Sequence, residues 1–277
     1  MHTRRAFLRQ KMITREIIDV HTHVFPEKIA VRAADNIVDY YGIPRQGNGT
    51  PEGLIEGAKG FESIRFIISS AALRPDRAEI GNSYLLELAR CDSRFVPLAS
   101  FHIGMGFDAA VAELERAKAL GAKGIKLHPD FQHFSIDNPE AIEIYKECAR
   151  MKLPILFHVG DTKSDLSQPK QILTVCEKVP ELTVIAAHMC GYSVWEEAEK
   201  YLIGTPVYTE TSEARLGMDA RGLYRLAEKH GIDRVMFGSD YPLWNTSYAY
   251  DGVEECGFSE EEKSLIYSEN AKKVFGL

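Results

Sequence analysis

Short runs of apolar residues rich in Val, Ile and Phe recur along the chain, and each has about the length of a β-strand. The eight runs read EIIDVHTH, SIRFIISSA, RFVPLASFH, AKGIKLHP, LPILFHVG, LTVIAAHM, PVYTETS and RVMFGSDYP. Between them, apolar residues recur at spacings of three and four, as in Ala141, Ile144, Tyr145 and Cys148, which is typical of one face of an α-helix. The pattern predicts strands and helices in alternation.

The predicted strands begin at regular intervals, at Glu16, Ile64, Arg94, Ala122, Leu153, Leu182, Pro206 and Arg234. Most starts lie 24 to 31 residues apart, and only the first interval is longer, at 48 residues. Eight βα units over about 250 residues predict a (β/α)₈ TIM barrel. We therefore expect one α/β domain spanning residues 16–277. An open doubly wound sheet is the alternative, because sequence alone does not prove closure.

Two segments fall outside the repeating units. Residues 1–15 are predicted to form a flexible N-terminal extension. They contain TRRAFLRQ, which resembles a twin-arginine export signal, but the following KMITREIID is charged where such a signal needs an apolar region. Residues 42–60 hold a glycine-rich insertion in the long first unit, and both a surface loop and a mobile lid fit its composition.

The composition excludes several classes of protein. The 277 residues include 33 Lys and Arg against 40 Asp and Glu, a net charge of −7, so we expect neither nucleic acid nor a membrane surface as a partner. No apolar run approaches the ~20 residues of a membrane-spanning helix. The five cysteines form no C-x-x-C pair, which argues against a disulfide framework or a cysteine zinc site and favours a reduced, cytoplasmic location.

Six of the nine histidines fall at the ends of predicted strands. His21 and His23 end the first strand, His102, His128, His158 and His188 end the third to sixth strands, and Asp240 ends the eighth. Active sites of barrel enzymes lie at these C-terminal ends. Residues two apart in a strand face the same side, and two imidazoles facing the interior would be costly without a partner.

A divalent metal is the simplest partner for this cluster. Imidazole and carboxylate groups are common zinc ligands, and a catalytic zinc keeps one position open for water. His21, His23, His158 and Asp240 would supply the ligands, because the first and eighth strands of a barrel are neighbours and the fifth lies across the interior. A hydrogen-bonded core role is the alternative for each histidine alone, but it does not explain the clustering.

Five motifs in this order, DVHTH, GIKLHP, FHVGD, AAHMCGY and MFGSDYP, span Asp19 to Pro242. They resemble the amidohydrolase-related (amidohydrolase 2) family of the metal-dependent hydrolase superfamily, and the chain is similar to the aminocarboxymuconate-semialdehyde decarboxylase-like group. The resemblance implies that His21, His23 and His158 bind the metal and that Asp240 is a ligand or the base beside the bound water. It further implies that His188 is the acid-base group.

The number of metal ions depends on the fourth strand. Lys126 and His128 lie two apart at its end and share a face, so they are candidates for a second metal or for the pocket. In binuclear members of the superfamily a carboxylated lysine from this strand bridges two ions. The similarity to the mononuclear group favours one Zn²⁺ per chain, with two ions if Lys126 is carboxylated.

Further polar residues that follow strand ends are predicted to contact a small-molecule substrate: Arg74, His102, Asp161, Glu210 and Trp244. Arg74 would grip a carboxylate in bidentate fashion, although a lone surface arginine is more often solvated. Homo-oligomerisation is left open, because no surface in the sequence indicates an interface.

Three functions are compatible with this set. The leading prediction is a metal-dependent hydrolase in which a metal-bound water cleaves a small amide, ester or lactone. The alternative is a non-oxidative decarboxylase of an unsaturated or aromatic carboxylic acid, and a cation placed to hold the departing carboxylate would favour it. A barrel that binds a metal or ligand without turnover is the third, and the acid-base group His188 argues against it.

Overall fold

The computed structural model of the protein describes residues 12–277, in which eight parallel strands follow one another in chain order around one sheet. They are β1 (Ile13–His23), β2 (Phe61–Ser69), β3 (Phe95–Ala99), β4 (Gly124–Leu127), β5 (Ile155–Phe157), β6 (Val184–Ala186), β7 (Tyr208–Glu210) and β8 (Val235–Met236). Every strand begins within three residues of its predicted start.

The sheet closes between its first and last strands. Thr22 forms a parallel bridge with Tyr241, the Val20 N–H donates to the Phe237 carbonyl at 2.9 Å, and the His23 N–H donates to the Tyr241 carbonyl at 2.7 Å. Closure and the strict strand order confirm the (β/α)₈ barrel and exclude the open doubly wound sheet.

Helices connect the strands and cover the outside of the barrel. They are α1 (Glu27–Tyr41), α2 (Pro51–Gly57), α3 (Ala78–Cys91), α4 (Phe107–Ala119), α5 (Pro129–Gln132), α6 (Pro139–Arg150), α7 (Pro169–Lys178), α8 (Trp195–Tyr201), α9 (Ala214–Gly217), α10 (Ala220–His230), α11 (Thr246–Glu254), α12 (Glu260–Ser264) and α13 (Asn270–Phe275). Short 3₁₀ turns span Pro75–Arg77, Ile103–Met105 and Ile232–Arg234, and a π-helical turn spans Leu265–Glu269.

Alternate strand residues divide the core into an inner and an outer part. Ile18, Leu98, Leu156 and Ile185 belong to one buried cluster that fills the barrel interior. Neighbouring residues such as Ile155 pack instead against the surrounding helices. Successive side chains of a strand point to opposite faces, so strand residues alternate between the barrel interior and the surrounding helices. The same alternation decides whether the last residue of each strand faces the interior.

The N-terminal region differs from the prediction at its boundary. β1 begins at Ile13, which pairs with Phe61, so part of the predicted extension is a strand. The twin-arginine-like segment lies outside the described residues.

Part of the glycine-rich insertion at residues 42–60 packs against the barrel. It contains α2, whose first residue is buried, and Gly47 lies against the ring of Tyr241. A Cβ atom at Gly47 would stand 2.2 Å from that ring, which is far inside van der Waals contact, so only glycine fits. Tyr241 donates a hydrogen bond to Asn48 and accepts one from the Gly49 N–H.

The helices and the cysteines concern two features considered from the composition, membrane spans and disulfide bonds. None of the helices between residues 12 and 277 combines the length and the apolar character needed to cross a bilayer. All five cysteines are free thiols.

Candidate active site

A local irregularity in β1 turns its two histidines into the barrel. Ile18 and Val20 face the interior, and the pairing of β1 with β2 shifts register between Asp19 and Thr22. Such a bulge adds one residue to the strand, so the side chains that follow it point to the face opposite to the one that regular alternation would give. His21 and His23 therefore point inward above Val20, although the regular alternation would have sent them outward.

Each of these histidines is anchored through one ring nitrogen. Nδ1 of His21 lies 2.9 Å from Oε1 of Glu210, and Nδ1 of His23 lies 3.1 Å from Oγ of Ser69. Burial lowers the pKa of His23 to about 4, so its imidazole is neutral at neutral pH. Anchoring at Nδ1 leaves Nε2 of each ring facing the barrel interior, which is the usual arrangement of metal-binding histidines.

The two Nε2 atoms converge on the Asp240 carboxylate. Its Oδ1 lies 3.4 Å from Nε2 of His21 and 3.2 Å from Nε2 of His23. Ligand atoms at ~2.0–2.1 Å from a tetrahedral ion stand about 3.3–3.4 Å apart, so this spacing fits one divalent metal. Asp240 has a left-handed backbone (φ 59°), and such strain is common at functional positions.

The charge of the Asp240 carboxylate is maintained by its surroundings. Burial raises its pKa, but the imidazoles of His21, His188 and His23 outweigh burial and hold that pKa well below the usual range. The backbone N–H of Asp240 donates to the His21 carbonyl at 2.8 Å, which ties the β8 end to β1.

Lys126 brings a further nitrogen to the same point. It is fully buried, and its Nζ lies 2.8 Å from Nε2 of His21. Burial lowers the pKa of Lys126 to about 8, with Asp240 and Glu210 opposing that shift. A depressed lysine pKa favours the neutral amine that carboxylation requires, so the position remains compatible with either metal count.

His188 stands in a hydrogen-bonded network on the other side of His21. Its Nδ1 lies 2.8 Å from Oγ of Ser212, and its backbone N–H donates to Oε1 of Glu210 at 2.8 Å. Its backbone is left-handed (φ 59°) in a sharp turn after β6, and burial lowers its pKa to about 4. Glu210 accepts from both histidines, and these contacts outweigh burial and lower its pKa to about 2.

His158 lies close to the predicted ligands without joining them. Its Nδ1 is 3.0 Å from Nε2 of His188, and its Nε2 is 2.9 Å from the Gly160 carbonyl and 3.2 Å from the Tyr41 hydroxyl. Three of the four predicted ligands thus converge, and His158 is turned toward other partners. All four line a cavity of about 20 Å³, a volume that suits a single ion or water.

His128 is part of an aromatic stack. Its ring lies between Phe131, with ring centroids 3.9 Å apart, and His158, with centroids 4.1 Å apart, and both pairs are nearly parallel. Nε2 of His128 lies 3.0 Å from the hydroxyl of Tyr41, which reaches over the barrel mouth from α1. These contacts assign His128 to the wall of the pocket.

A second, larger cavity opens outward from the small one and shares His23, Ile37, His128 and Phe131 with it. Its volume is about 310 Å³. The remaining walls are largely apolar, formed by Phe25, Ala33, Ala71, Leu73 and the ring of Tyr40. Among residues 12–277, no lysine or arginine lines this cavity.

The structure corrects most of the predicted substrate contacts. Arg74 is exposed and pairs with Asp76, so it grips no ligand at the mouth. His102 accepts a hydrogen bond from the N–H of Gly104 at 3.0 Å and caps a 3₁₀ turn. Both side chains are drawn to local partners outside the two cavities, an outcome that spacing along the chain does not reveal.

The other predicted contacts also serve protein groups. Glu210 is buried and holds His21 and His188 instead of a substrate. Asp161 is buried and accepts a hydrogen bond from the Tyr40 hydroxyl at 2.8 Å. Trp244 donates to Oε1 of Glu213 at 2.8 Å and lines a separate cavity between β7 and α11.

Five residues of the site were not predicted from the sequence: Asp19, Tyr41, Ser69, Asp130 and Ser212. Asp19 accepts from the Ser239 N–H at 2.9 Å and from the Thr246 hydroxyl at 2.8 Å, and burial raises its pKa to about 6. Ser69 ends β2, so the rule that located the histidines would also have found it. Tyr41 belongs to a helix, and no strand-end signal marks it.

Known proteins share this fold and this sequence pattern. A gamma-resorcylate decarboxylase from Polaromonas sp. strain JS666 is 23% identical over 263 residues, which cover 76% of this chain and 79% of that protein. A 5-carboxyvanillate decarboxylase from Sphingomonas paucimobilis has the same fold, with a TM-score of 0.72, 15% identity and coverage of 95% of this chain and 100% of that one.

A third relative was solved with a metal. It is a dihydroxybenzoic acid decarboxylase from Polaromonas sp. JS666 with bound manganese and the inhibitor 2-nitroresorcinol. Its TM-score is 0.65 at 18% identity, over 95% of this chain and 98% of that chain. The amidohydrolase family model matches residues 18–277, nearly the whole barrel. The chain therefore belongs to the amidohydrolase family.

Proposed function

We propose that the protein is a metal-dependent, non-oxidative decarboxylase of a small aromatic or unsaturated carboxylic acid. The observation that carries this proposal is the apolar cavity of about 310 Å³ that opens directly beside the His21, His23 and Asp240 group. A ring would bury its faces against Phe25, Phe131 and the other apolar walls, and its carboxylate would reach the metal group.

The decarboxylation reaction requires charge neutralisation and one proton. The bond between the ring carbon and the carboxylate breaks, carbon dioxide leaves, and the electron pair on the ring carbon takes up a proton. A divalent metal held by His21, His23 and Asp240 would polarise the substrate oxygens as a Lewis acid. We assign the metal as one Zn²⁺, because imidazole and carboxylate ligands and the observed spacing suit it.

The protein groups supply orientation and the proton. Asp240 lines the small cavity, and His188 lies behind it, with Nε2 3.0 Å from Nδ1 of the cavity residue His158. Ser212 and Glu210 fix the orientation of His188. We propose that His188 delivers the proton to carbon, because the Asp240 carboxylate is held ionised and carries none. Because no lysine or arginine of residues 12–277 lines the outer cavity, we propose that the metal neutralises the substrate carboxylate, in place of the role predicted for Arg74.

The hydrolase predicted first from the sequence shares all of these residues. The three proteins described above are decarboxylases, of gamma-resorcylate, 5-carboxyvanillate and dihydroxybenzoic acid, so they support the alternative prediction. Cleavage of an amide, ester or lactone stays a prediction. We propose that the protein is located in the cytoplasm and that its partner is a small-molecule substrate.

A direct assay separates the two chemistries. Protein purified without chelator is analysed for metal and then incubated with gamma-resorcylate, salicylate and benzoate, and in parallel with a set of small lactones and amides. Release of carbon dioxide from the ring acids supports the proposal. Acid release from lactones or amides without carbon dioxide would replace it by hydrolysis, and two metal equivalents per chain would replace the single-ion site.

Two variants test the residue assignments in the same assay. His188→Asn should abolish turnover while the metal stays bound at His21, His23 and Asp240, because His188 belongs to a different possible ligand group, with His21 and Glu210. His102→Asn is the matched control, since His102 lies outside both cavities and caps a 3₁₀ turn. Unchanged turnover in His188→Asn would remove proton transfer by His188 from the mechanism.

A further inference from the structure

The turn that follows β6 has an unusual backbone. His188, Met189 and Cys190 are left-handed in succession, with φ of 59°, 51° and 68°. Among residues 12–277, no other successive non-glycine residues share this conformation. It is costly for residues that carry a Cβ atom, which normally adopt it singly, and backbone strain of this kind is common at functional positions. The surrounding contacts must therefore hold the turn.

The N–H side of the turn is bound to β7. The N–H groups of His188 and Met189 donate to Oε1 and to the carbonyl of Glu210, at 2.8 and 2.9 Å. The N–H of Cys190 donates to Oγ1 of Thr209 at 3.0 Å. The His188 carbonyl takes no part in these bonds, and as a group of a buried residue it needs donors of its own.

Trp195, the first residue of α8, supplies such a donor. Its indole N–H donates to the His188 carbonyl at 3.0 Å, beside a longer bond from the Gly191 N–H at 3.2 Å. An indole nitrogen only donates, so the position of the ring fixes the direction of the bond. Trp195 is half-buried and lines neither the small nor the outer cavity, so any effect that it has on the site passes through His188.

The indole ring lies directly against the backbone of α9. A Cβ atom at Gly217 would stand 1.8 Å from Cζ3 and 2.5 Å from Cη2 of Trp195, which no side chain could accommodate without moving the ring. Gly217 is not among the left-handed glycines, so its backbone alone would accept alanine. The missing side chain at Gly217 therefore serves the ring, which it allows to reach the His188 carbonyl.

The turn also determines where the His188 ring lies. Nδ1 of that ring is 2.8 Å from Oγ of Ser212, Nε2 is 3.0 Å from Nδ1 of His158, and the ring stacks on that of His21 with centroids 5.0 Å apart. A proton donor must stand within hydrogen-bond reach of the reacting atom, and a displacement of about 1 Å can lower a rate by roughly 10²-fold.

We propose that Trp195 is a positioning residue: seated on Gly217, it holds the left-handed turn through the His188 carbonyl and thereby sets the direction of the His188 ring. This proposal rests on the proposed function for the use of His188 in proton transfer. The geometry of the turn does not depend on which reaction the protein catalyses.

NMR of Zn²⁺-loaded protein labelled with ¹⁵N-histidine observes the His188 ring directly, and His188→Asn assigns its signals by their loss. Trp195→Phe keeps an aromatic side chain and removes the N–H, and Gly217→Ala places a methyl group where the indole ring lies. Both variants should shift the His188 ring signals and leave those of His102, outside both cavities, unchanged. A role of Trp195 in packing alone would not move the His188 signals.

Two control variants match these changes. Gly81→Ala is also a change of glycine to alanine, at a position in α3 where a Cβ atom would meet nothing within 4 Å. Tyr201→Phe removes a polar group from another half-buried aromatic residue of α8. Neither should shift the His188 signals. In the double variant Trp195→Phe/Gly217→Ala the two shifts should not add, because both changes act through one ring.

The outcomes separate this proposal from the proposed function. Trp195→Phe and Gly217→Ala should each lower kcat for carbon dioxide release at least about tenfold, while KM and bound zinc stay within about twofold. If the unaltered protein releases no carbon dioxide, the proposed function is rejected and the NMR signals decide alone. Unshifted His188 signals in either folded variant, or additive shifts in the double variant, would overturn the role of Trp195, and one folded variant suffices for this decision.

Discussion

The two halves of the candidate site differ in how completely their polar atoms are paired. On the β1 and β8 side, His21 and His23 are each anchored at one nitrogen and converge with the other on Asp240. On the β4 side, His128 and Asp130 keep buried polar atoms without partners among the described residues. Both halves are buried to a similar extent, so exposure to solvent does not explain the difference.

The contrast indicates different partners for the two halves. A half whose side chains are already oriented by the protein is suited to an ion, which needs ligands at fixed distances. A half that leaves a donor and an acceptor open is suited to a molecule that arrives and leaves and that provides the missing hydrogen bonds. The site thus combines an oriented His21, His23 and Asp240 group with a wall in which His128 and Asp130 keep polar atoms without partners among the described residues.

The largest expected effect is the loss of the metal when its shared carboxylate is removed. Asp240→Asn keeps the shape and tolerates the left-handed backbone, but it removes the charge on which His21 and His23 converge. Metal affinity and turnover should each fall by roughly 10³-fold or more, beyond the 10–100-fold typical of outer groups. Elemental analysis and the carbon dioxide assay measure both.

The surface variant Asp39→Asn, on the exposed face of α1, is the control for loss of one negative charge. Full metal content in Asp240→Asn would show that the convergence on Asp240 has another purpose.

A smaller loss of metal affinity is expected from removing the hydrogen-bond partners that orient His21 and His23. Glu210→Gln removes the charge that orients His21, and metal affinity should fall about 10–100-fold, with much of the turnover restored at saturating metal. Ser69→Ala removes a neutral anchor of His23 and should have the lesser effect, because hydrogen bonds to charged groups are stronger. Metal titration of both variants gives the ranking, and a larger effect in Ser69→Ala would contradict it.

The opposite half should respond with a gain in stability. Asp130→Leu replaces an unpaired buried carboxylate by an apolar side chain of similar size, so the free energy of unfolding should rise by about 1–3 kcal/mol. Urea denaturation of the metal-loaded protein measures the change. Glu210→Leu is the comparison, since it breaks a paired buried charge and should destabilise. A destabilised Asp130→Leu would mean that Asp130 has a structural partner.

The smallest effect concerns pH. Burial lowers the folded-state pKa of His23 and of His188 to about 4, below the ordinary value near 6.5 of the unfolded chain. The unfolded chain therefore binds these two protons first, and they make stability fall as the pH drops from about 6.5 to 4. Asp19 offsets part of this fall, because its folded-state pKa is raised to about 6. Urea midpoints of chelator-treated protein measure this. His188→Asn should make the fall shallower, and an unchanged slope would exclude His188 as a source.

The barrel was predictable from the sequence because strand spacing repeats along the chain. Parallel strands bring their ends together, so the order of residues also predicts that His21, His23 and Asp240 lie near one another. It does not predict the bulge in β1 that turns both histidines inward. The direction of a single side chain is set by local contacts instead. His158 turns toward Gly160 and Tyr41, and that choice leaves no trace in the spacing of residues.

The substrate contacts were the least predictable part of the site. A polar residue at the end of a strand can face the mouth, a neighbouring side chain or solvent. Glu210 contacts a neighbouring side chain, and Arg74 is exposed to solvent. Asp130 follows a strand as well, but its significance lies in the hydrogen bonds that it fails to make with the described residues. Unsatisfied atoms become visible only when all surrounding groups have been placed.

The close packing of Gly47 on Tyr241 limits how this barrel can be redesigned. Tyr241 is the neighbour of Asp240, so any side chain introduced at Gly47 would push on the residue next to a candidate ligand. Gly42, in the same segment, has open space around its α-carbon, but its left-handed backbone (φ 72°) at the end of α1 would strain other residues. A library that diversifies the insertion to change substrate range should therefore spare both glycines, Gly47 for its contact and Gly42 for its backbone.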